Sequence, residues 1–323
     1  MTKIVLHLKK RDVGWDLRGR HLQFYAMLRE ITEDRGIPLE VRARDPDIRV
    51  GTREIKDDRL NDGNLHIIDD RSVCAPYVLN AGVAYFWRDW HLDAQGVKAF
   101  SSVGTRSYDA DQISYRRARA FFDNMRQRYV QKRKSKYEQP SDVVSFSKVK
   151  GAVSVFFQGD YPRASGATDT CDLAMLRTVM EQTGDRPIIV KLHPKASKLS
   201  DIEAVGSLVA IDDRLLLSTA NVHDILKASV ATVSINSTVA LEGFLHRKPA
   251  ILFGVSDFHH FVSTVSNELR FEEAFARELE RKEGYEQYLS WYFLKNCLSL
   301  NSGNLTSQIW AKFRAAGFPE ERF

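Results

Sequence analysis

Between residues 150 and 255 the chain alternates short, unbroken apolar runs with segments of helical period. This alternation constrains the fold more than any other feature of the sequence. The runs are "AVSVFFQ", "RPIIVKL", "VATVSI" and "PAILFG", with a shorter one, "SLVAID", at 207–212. Between them, "TCDLAMLRTVMEQTG" places Leu173, Leu176, Val179 and Met180 at helical spacing before Gly184. "NVHDILKAS" begins with Asn221, a good N-cap, and "STVALEGFLHRK" supplies a further helix. A strand that is apolar at every position, instead of at every second one, is buried on both faces. The pattern therefore predicts a parallel sheet with helices on both sides, a Rossmann-like α/β domain.

The first half is less regular. "KIVLHL", "LEVRA" and "NLHIID" read as strands, "AGVAYFW" as another, and residues 17–35 as a helix ending at Gly36. With 323 residues there is material for two domains with real cores. The reading places an N-terminal α/β domain at 1–140 on the acceptor side, a C-terminal Rossmann-like domain at 141–265, and a helical segment at 266–323 packing back across both. The tail aromatics Tyr285, Tyr288, Trp291, Tyr292 and Phe293 recur near helical spacing and are expected to pack inward. No apolar run reaches the roughly 18 residues of a membrane span. The opening "MTKIVLHLKKRDVGWD" reads as a first strand and not as a signal peptide. Three widely spaced cysteines, Cys74, Cys171 and Cys297, point to a reducing, cytoplasmic setting and away from a zinc site or disulfide framework.

The net charge of +5 is concentrated in one stretch. Arg116, Arg117, Arg119, Arg126, Arg128, Lys132, Arg133, Lys134 and Lys136 fall within "YRRARAFFDNMRQRYVQKRKSKYEQP". This basic helix over 116–136 is either a solvated crossing between domains or a peripheral contact with an anionic inner-membrane surface or glycan. No signature of nucleic-acid binding accompanies it, and nucleic acid is not expected as a partner.

The polar residues that interrupt the pattern all sit at strand ends. Gln158, Gly159 and Asp160 follow the first run, His193 and Pro194 the second, Ser234, Asn236, Ser237 and Thr238 the fourth, and Gly254 the last. In a parallel sheet these ends share one edge, so the loops are expected to converge on one crevice. Ser237 and Thr238 open a helix, where unpaired N–H groups either meet a phosphate or are capped locally. Glu242 lies one residue too late to form a capping box with Thr238 and is suited to accept hydrogen bonds from ribose hydroxyls. The His193 imidazole can donate to a phosphate oxygen, with Pro194 fixing the loop. Asp160 is a candidate nucleophile or base.

Two α/β domains with late helices resemble the GT-B arrangement of glycosyltransferases. More narrowly, "VFFQGD", "VKLHP" and "VATVSINSTVALEGFLHRKPAILFG", taken in order, resemble the capsule-polysaccharide synthesis family that includes the retaining β-Kdo transferases of capsule and lipopolysaccharide assembly. The resemblance spans roughly residues 150–260. It implies transfer of a sugar from a nucleotide donor, CMP-linked and Kdo-like, to a glycan or glycolipid acceptor, with no further cofactor and no metal. Gln158, His193, Pro194, Asn236, Ser237, Thr238, Glu242 and Gly254 would bind the nucleotide, and Asp160 would be the nucleophile. The family's acidic Glu-Asp-Gly segment in the N-terminal half is not found. "YFWRDWHLDAQG" is its nearest substitute, with Asp89 or His91 as acid/base. The DxD-like pairs in "RDPDIR", "IDDR" and "YDADQ" do not follow strands in the manner of metal-dependent GT-A enzymes. Two other readings remain: transfer of a polyol phosphate from a CDP-linked donor, and a catalytically degenerate scaffold or glycan-binding protein.

Overall fold

The computed structural model of the chain describes residues 2–19, 21–55 and 57–323. The chain forms two compact units, one of residues 1–106 with 292–323 and one of residues 107–291. In the first unit the chain runs through β1 (Ile4–Leu8), α1 (Gln23–Glu33), β2 (Leu39–Ala43), β3 (Leu65–Asp69), β4 (Val78–Val83) and β5 (Asp89–Asp93). The second unit opens with α2 (Tyr115–Met125), which runs on as a π-helical turn over Arg126–Gln131. It continues through β6 (Ala152–Phe156), α3 (Tyr161–Ala164), α4 (Asp172–Gln182), β7 (Ile188–Lys191), α5 (Leu199–Val209), β8 (Leu215–Leu217), α6 (Val222–Ala228), β9 (Ser229–Ser234), α7 (Val239–Leu245), β10 (Ala250–Leu252), β11 (Ser263–Thr264), α8 (Phe271–Glu280) and α9 (Tyr285–Ser290). The chain then returns to the first unit for β12 (Leu298–Ser299) and α10 (Leu305–Ala315).

The second unit carries the doubly wound topology. Its sheet has the order β11-β10-β9-β6-β7-β8, and every pairing is parallel. Counted from its first strand, β6, this is the Rossmann order 3-2-1-4-5-6. The direction of winding reverses between β6 and β9. Val153 and Val155 on one face of β6 join Met175, Leu176 and Val179 of α4 and Phe271 and Phe275 of α8 in one core. Ala152 and Phe156 on the other face join Val222, Ile225 and Leu226 of α6. Both faces of the strand are buried, which is why its sequence is apolar without alternation.

The first unit has the sheet order β12-β5-β4-β3-β1-β2. The inner strands pair in parallel, whereas β4–β5 and β5–β12 are antiparallel. Phe24, Tyr25 and Leu28 of α1 and Ile309, Trp310 and Phe313 of α10 share its core with Trp90. Phe24 stacks on Trp90 at 5.1 Å.

Several expectations from the sequence are corrected. The boundaries fall near residues 106 and 291, not at 140 and 265, because the helix read as the end of the first domain belongs with the second. Ala118, Phe122 and Met125 of α2 are buried, α2 packs against α9, and Arg119 reaches Glu286 at 3.4 Å. The basic helix ends near Gln131, so Lys132–Lys136 lie beyond it. "SLVAID" is not a strand. Its first residues close α5, whose start is capped by the Asp201 carboxylate on the Lys198 N–H at 2.8 Å, and the strand is β8. "AGVAYFW" lies half in β4 and half in the turn beyond it. The tail aromatics Tyr285, Tyr288, Trp291, Tyr292 and Phe293 are buried, as their spacing predicts.

Each unit also encloses a pair of histidines. His7 Nε2 and His66 Nδ1 are 2.9 Å apart between β1 and β3, and His66 Nε2 meets Asp62 at 2.9 Å. His223 Nδ1 and His246 Nε2 are 2.9 Å apart in the second unit. Burial holds these rings neutral. It lowers His7 and His246 to about 3, the charges of Arg42 and of His223, respectively, adding to the effect, and it lowers His66 and His223 in the same direction. The unfolded chain takes up protons on these groups below about pH 6.5, where the folded chain does not. Stability contributed by the neutral rings is therefore fully present above that pH and lost as pH falls. In thermal or urea melts from about pH 7 to about pH 5, His7→Gln should flatten the pH dependence by about 1 kcal/mol per unit relative to the parent. Parallel curves for the two proteins would refute the assignment.

Candidate functional site

The strand-end residues come together at the point where the second sheet reverses direction. Strands β10, β9, β6 and β7 are consecutive neighbours and parallel, so their carboxyl ends share one edge. The loops after β6 and β9 are tied by a reciprocal pair of hydrogen bonds. Gln158 Nε2 donates to Asn236 Oδ1 at 3.0 Å, and the Asn236 N–H donates to Gln158 Oε1 at 2.8 Å. Asn236 Nδ2 also donates to the Val255 carbonyl after β10 at 2.9 Å. One glutamine and one asparagine thus lock three strand ends into register.

The loop after β6 is held from below by Asp172, a residue the sequence reading did not single out. One carboxylate oxygen accepts the Gln158 N–H at 2.8 Å and the Gly159 N–H at 2.7 Å. The other is buried without a hydrogen bond. Burial raises this carboxyl to about 6, against the pull of those two N–H groups. Gly159 has φ +70°, and a Cβ there would lie 2.7 Å from the Ala196 carbonyl in the loop after β7. Only glycine permits that approach. Asp160 follows on the surface, where its carboxylate pairs with Lys198 at 2.5 Å. Lys198 keeps Asp160 below the ordinary carboxylate range, so it is ionised at neutral pH.

His193 lies after β7, half-buried, with Pro194 exposed beside it. Its own N–H donates to Ser197 Oγ at 2.9 Å, and Nδ1 accepts the Lys195 N–H at 3.1 Å. With Nδ1 occupied as an acceptor, the neutral ring carries its proton on Nε2, ready to donate. Burial and the charges of Lys136 and Lys195 lower its pKa and favour this neutral form. The Tyr137 ring meets His193 edge-on at 4.9 Å.

Glu242 sits one turn into α7, 1% exposed, and neither carboxylate oxygen has a hydrogen-bonding partner. Burial raises it to about 7. The Ser135 hydroxyl and the Lys136 charge pull the other way, but no full hydrogen bond reaches either oxygen. A solitary buried carboxylate is costly, and in folded proteins such groups are found paired. Ser237 shows the local capping alternative. Its hydroxyl accepts the Val239 N–H at 3.3 Å, while Thr238 makes no side-chain cap to α7, a helix of seven residues. Gly254 answers a packing demand. A Cβ there would fall 2.8 Å from the Ala167 carbonyl and 2.8 Å from Ile235.

Asp89 and His91 belong to the first unit, on the buried antiparallel strand β5. Burial lowers His91 to about 3, and Tyr292 Oη lies 3.4 Å from its Nε2. Their neighbour Asp93 is a loop anchor. It accepts the N–H groups of Gln95, Gly96 and Ser102 at 2.8, 3.3 and 3.1 Å. The sequence reading passed over an acidic pair in this unit, at the carboxyl end of β3. Asp69 is buried and accepts the Tyr25 hydroxyl at 2.8 Å, and Asp70, with φ +50°, meets Lys98 at 2.8 Å and Lys9 at 3.4 Å. Burial and the charge of Asp70 raise the Asp69 carboxyl. The available signal was "LHIIDD", two carboxylates directly after an apolar run. Among the described residues, no group of three or more His, Cys, Asp or Glu side chains is placed to hold a metal ion, and no helix is long and apolar enough to cross a membrane.

Among the matching solved structures are two of Thermosulfurimonas dismutans KpsC that span nearly the whole chain. The β-Kdo 2,4-transferase matches with TM-score 0.51 and 12% identity, covering 90% of this chain and 89% of that one. The β-Kdo 2,7-transferase matches with TM-score 0.53 and 12% identity, covering 98% and 99%. At this identity the likeness establishes the fold, α/β with two Rossmann-like units as in GT-B glycosyltransferases. Comparison with curated proteins gives no match. The family model for capsule polysaccharide biosynthesis proteins matches residues 103–289, which is nearly the whole of the second unit. With its second unit matched almost end to end, the chain belongs to the capsule polysaccharide biosynthesis protein family.

Proposed function

We propose that the protein is a glycosyltransferase that moves a sugar from a nucleotide donor, CMP-linked and Kdo-like, to a capsular or lipopolysaccharide-type acceptor, with retention of configuration. The observation that carries this reading is Glu242: a buried carboxylate with two unused acceptor oxygens, in the unit matched by the family. A ribose 2′,3′-diol supplies two donors to such a group. The neutral His193, with Nε2–H to give, suits a phosphate oxygen, and Gln158 and Asn236 hold the loops between them.

In the chemistry proposed, an Asp160 carboxylate oxygen attacks the anomeric carbon as the bond to the CMP phosphate oxygen breaks, its electron pair leaving with the phosphate. An acceptor hydroxyl then displaces Asp160 and gives its proton to a base. The resemblance gives that part to Asp89 or His91. Arg119, Arg126 and Arg133 are engaged by Glu286, the Leu245 carbonyl and Asp224. Contact with an anionic inner-leaflet surface is assigned to the exposed Arg116 and Arg117.

CMP should raise the melting temperature, and His193→Ala should abolish the shift. Stabilisation by UDP or GDP in place of cytidine nucleotides would overturn the donor assignment. Glu242 gives a second prediction with a definite sign. Its folded pKa lies above the unfolded value, so its destabilising ionisation sets in as pH rises from about 4.5 to about 7. Glu242→Gln should therefore stabilise the ligand-free protein more at pH 8 than at pH 5, by at most about 3 kcal/mol, while weakening CMP binding. A variant less stable at pH 8 than the parent would show that the carboxylate is already satisfied. Donor-treated protein analysed by mass spectrometry should carry a sugar adduct on Asp160. Turnover without that adduct, undiminished in Asp160→Asn, would favour polyol-phosphate transfer, in which Asp160 has no covalent part.

A further inference from the structure

The segment after α2, residues 132–140, lies outside regular structure, yet side chains of α6 and its N-cap hold it at both ends. Arg133 turns the chain with φ +51° and pairs with Asp224 at 2.9 Å. Asn221 Nδ2 donates to the Arg133 carbonyl at 3.2 Å and to the Pro140 carbonyl at 3.1 Å. Gln139 Oε1 accepts the Val222 N–H at 3.0 Å. His223 Nε2 donates to the Lys134 carbonyl at 2.9 Å, which leaves its Nδ1 to accept from His246. Asn221 and His223 are almost wholly buried. A loop closed at both ends by buried side chains has lost the entropy that would let it swing away.

Between those fastenings, the strap passes beside His193 at Tyr137. Ser135 and Lys136 act on Glu242, Lys136 also acts on His193, and the Tyr137 ring packs edge-on against the His193 ring. The Lys195 ammonium, from the loop after β7, lies 5.8 Å from the Tyr137 ring centroid. We propose that this strap is a wall of the donor site, with Lys136 and Ser135 recognising the ribose-phosphate end of a nucleotide and Tyr137 fixing the plane of His193. The proposal rests on the donor reading above and extends it to Ser135 and Lys136, which the sequence pattern places at the end of the basic helix, and to Tyr137 beyond it. The two orphan oxygens of Glu242 are an independent sign that a ligand belongs between α7 and the strap. Lys136 brings a positive charge to the spot where a buried carboxylate and a phosphate would otherwise repel. Tyr137 and the Lys195 N–H together confine the imidazole, so that Nε2–H points to one acceptor.

The test uses the full chain and CMP as probe, with affinity read by calorimetry and folding by thermal melting. Lys136→Ala and Tyr137→Ala should each weaken CMP binding about tenfold while leaving the ligand-free melting temperature near the parent's, because both side chains are partly exposed. Lys136→Gln, which keeps the length and removes the charge, should behave as Lys136→Ala. Arg117→Ala, on the same basic stretch but exposed on α2, should bind as the parent does. In hydrogen exchange, CMP should slow the amides of residues 135–137. Parental affinity in both Lys136→Ala and Tyr137→Ala, with binding lost in His193→Ala, would reduce the strap to a tether and leave the donor reading standing. Failure of the parent to bind any cytidine nucleotide would remove the donor reading and the strap's role together.

Discussion

The architecture of the site depends on the reciprocal hydrogen bonding of Gln158 and Asn236. A doubly wound sheet creates a crevice where its winding reverses, but leaves open how the two loops bordering it are spaced. Here Gln158 gives its side-chain N–H and accepts on its oxygen, and Asn236 answers with its side-chain oxygen and its backbone N–H. Asp172 adds a third fastening, taking two consecutive backbone N–H groups of the β6 loop on one oxygen. Charge-assisted bonds of this kind are about twice as strong as neutral ones. The loop that delivers Asp160 is therefore held by its backbone, and its side chain is left to solvent and Lys198.

Three carboxylates of the second unit illustrate how environment divides the work. Asp160, on the surface beside a lysine, is an anion at any physiological pH. Asp172, buried but bonded to two N–H groups, is raised to about 6. Glu242, buried with neither oxygen bonded, is raised to about 7. Burial separates Asp160 from the other two, and of those two the carboxyl that keeps N–H donors lies lower. A group that keeps its charge can serve as a nucleophile or partner a cation. A group poised near neutrality can exchange its proton for a ligand's hydroxyl at small cost.

Legibility in the sequence followed the strength of burial. The second sheet was readable because β6, β7, β9 and β10 lie in largely apolar runs without alternation, which a two-sided cover explains, and the polar strand ends stood out against that background. In the first unit the period is blurred. β5 reads Asp-Trp-His-Leu-Asp, with Asp89, His91 and Asp93 all buried, so a buried strand was read for its acidic residues and not as a strand. Ile211 is exposed just beyond α5, and the apolar run around it, "SLVAID", imitated a strand. Asp172 was hidden because its role is to receive N–H groups from residues 14 and 13 positions earlier, a relation that no local spacing encodes. Domain boundaries failed for a related reason. The chain leaves the first unit and returns 186 residues later, and only packing of α2 on α9 reveals it.

The basic stretch shows how one compositional signal can conceal several physical roles. Read as charge alone, residues 115–140 form a patch for a polyanion. In the folded unit Arg119 compensates the buried Glu286, Arg126 caps the carbonyl of Leu245 at the end of α7, and Arg133 fastens the strap to Asp224. Each of these holds down a buried acceptor that would otherwise cost stability. The helix ends near Gln131, and that ending matters more than the charge. A continuous helix to residue 136 would carry Lys134 and Lys136 onward along its axis, whereas the turn at Arg133 brings the chain back over α6, where Tyr137 meets His193 and the Lys136 charge is felt at His193 and Glu242. The positive φ at a non-glycine residue costs of order 1 kcal/mol, and the Arg133–Asp224 and Asn221 contacts at the same residue offset it. Strain of that kind persists where the surrounding contacts over-determine the chain's path, and here the path ends on the one buried carboxylate of α7 that has no partner of its own.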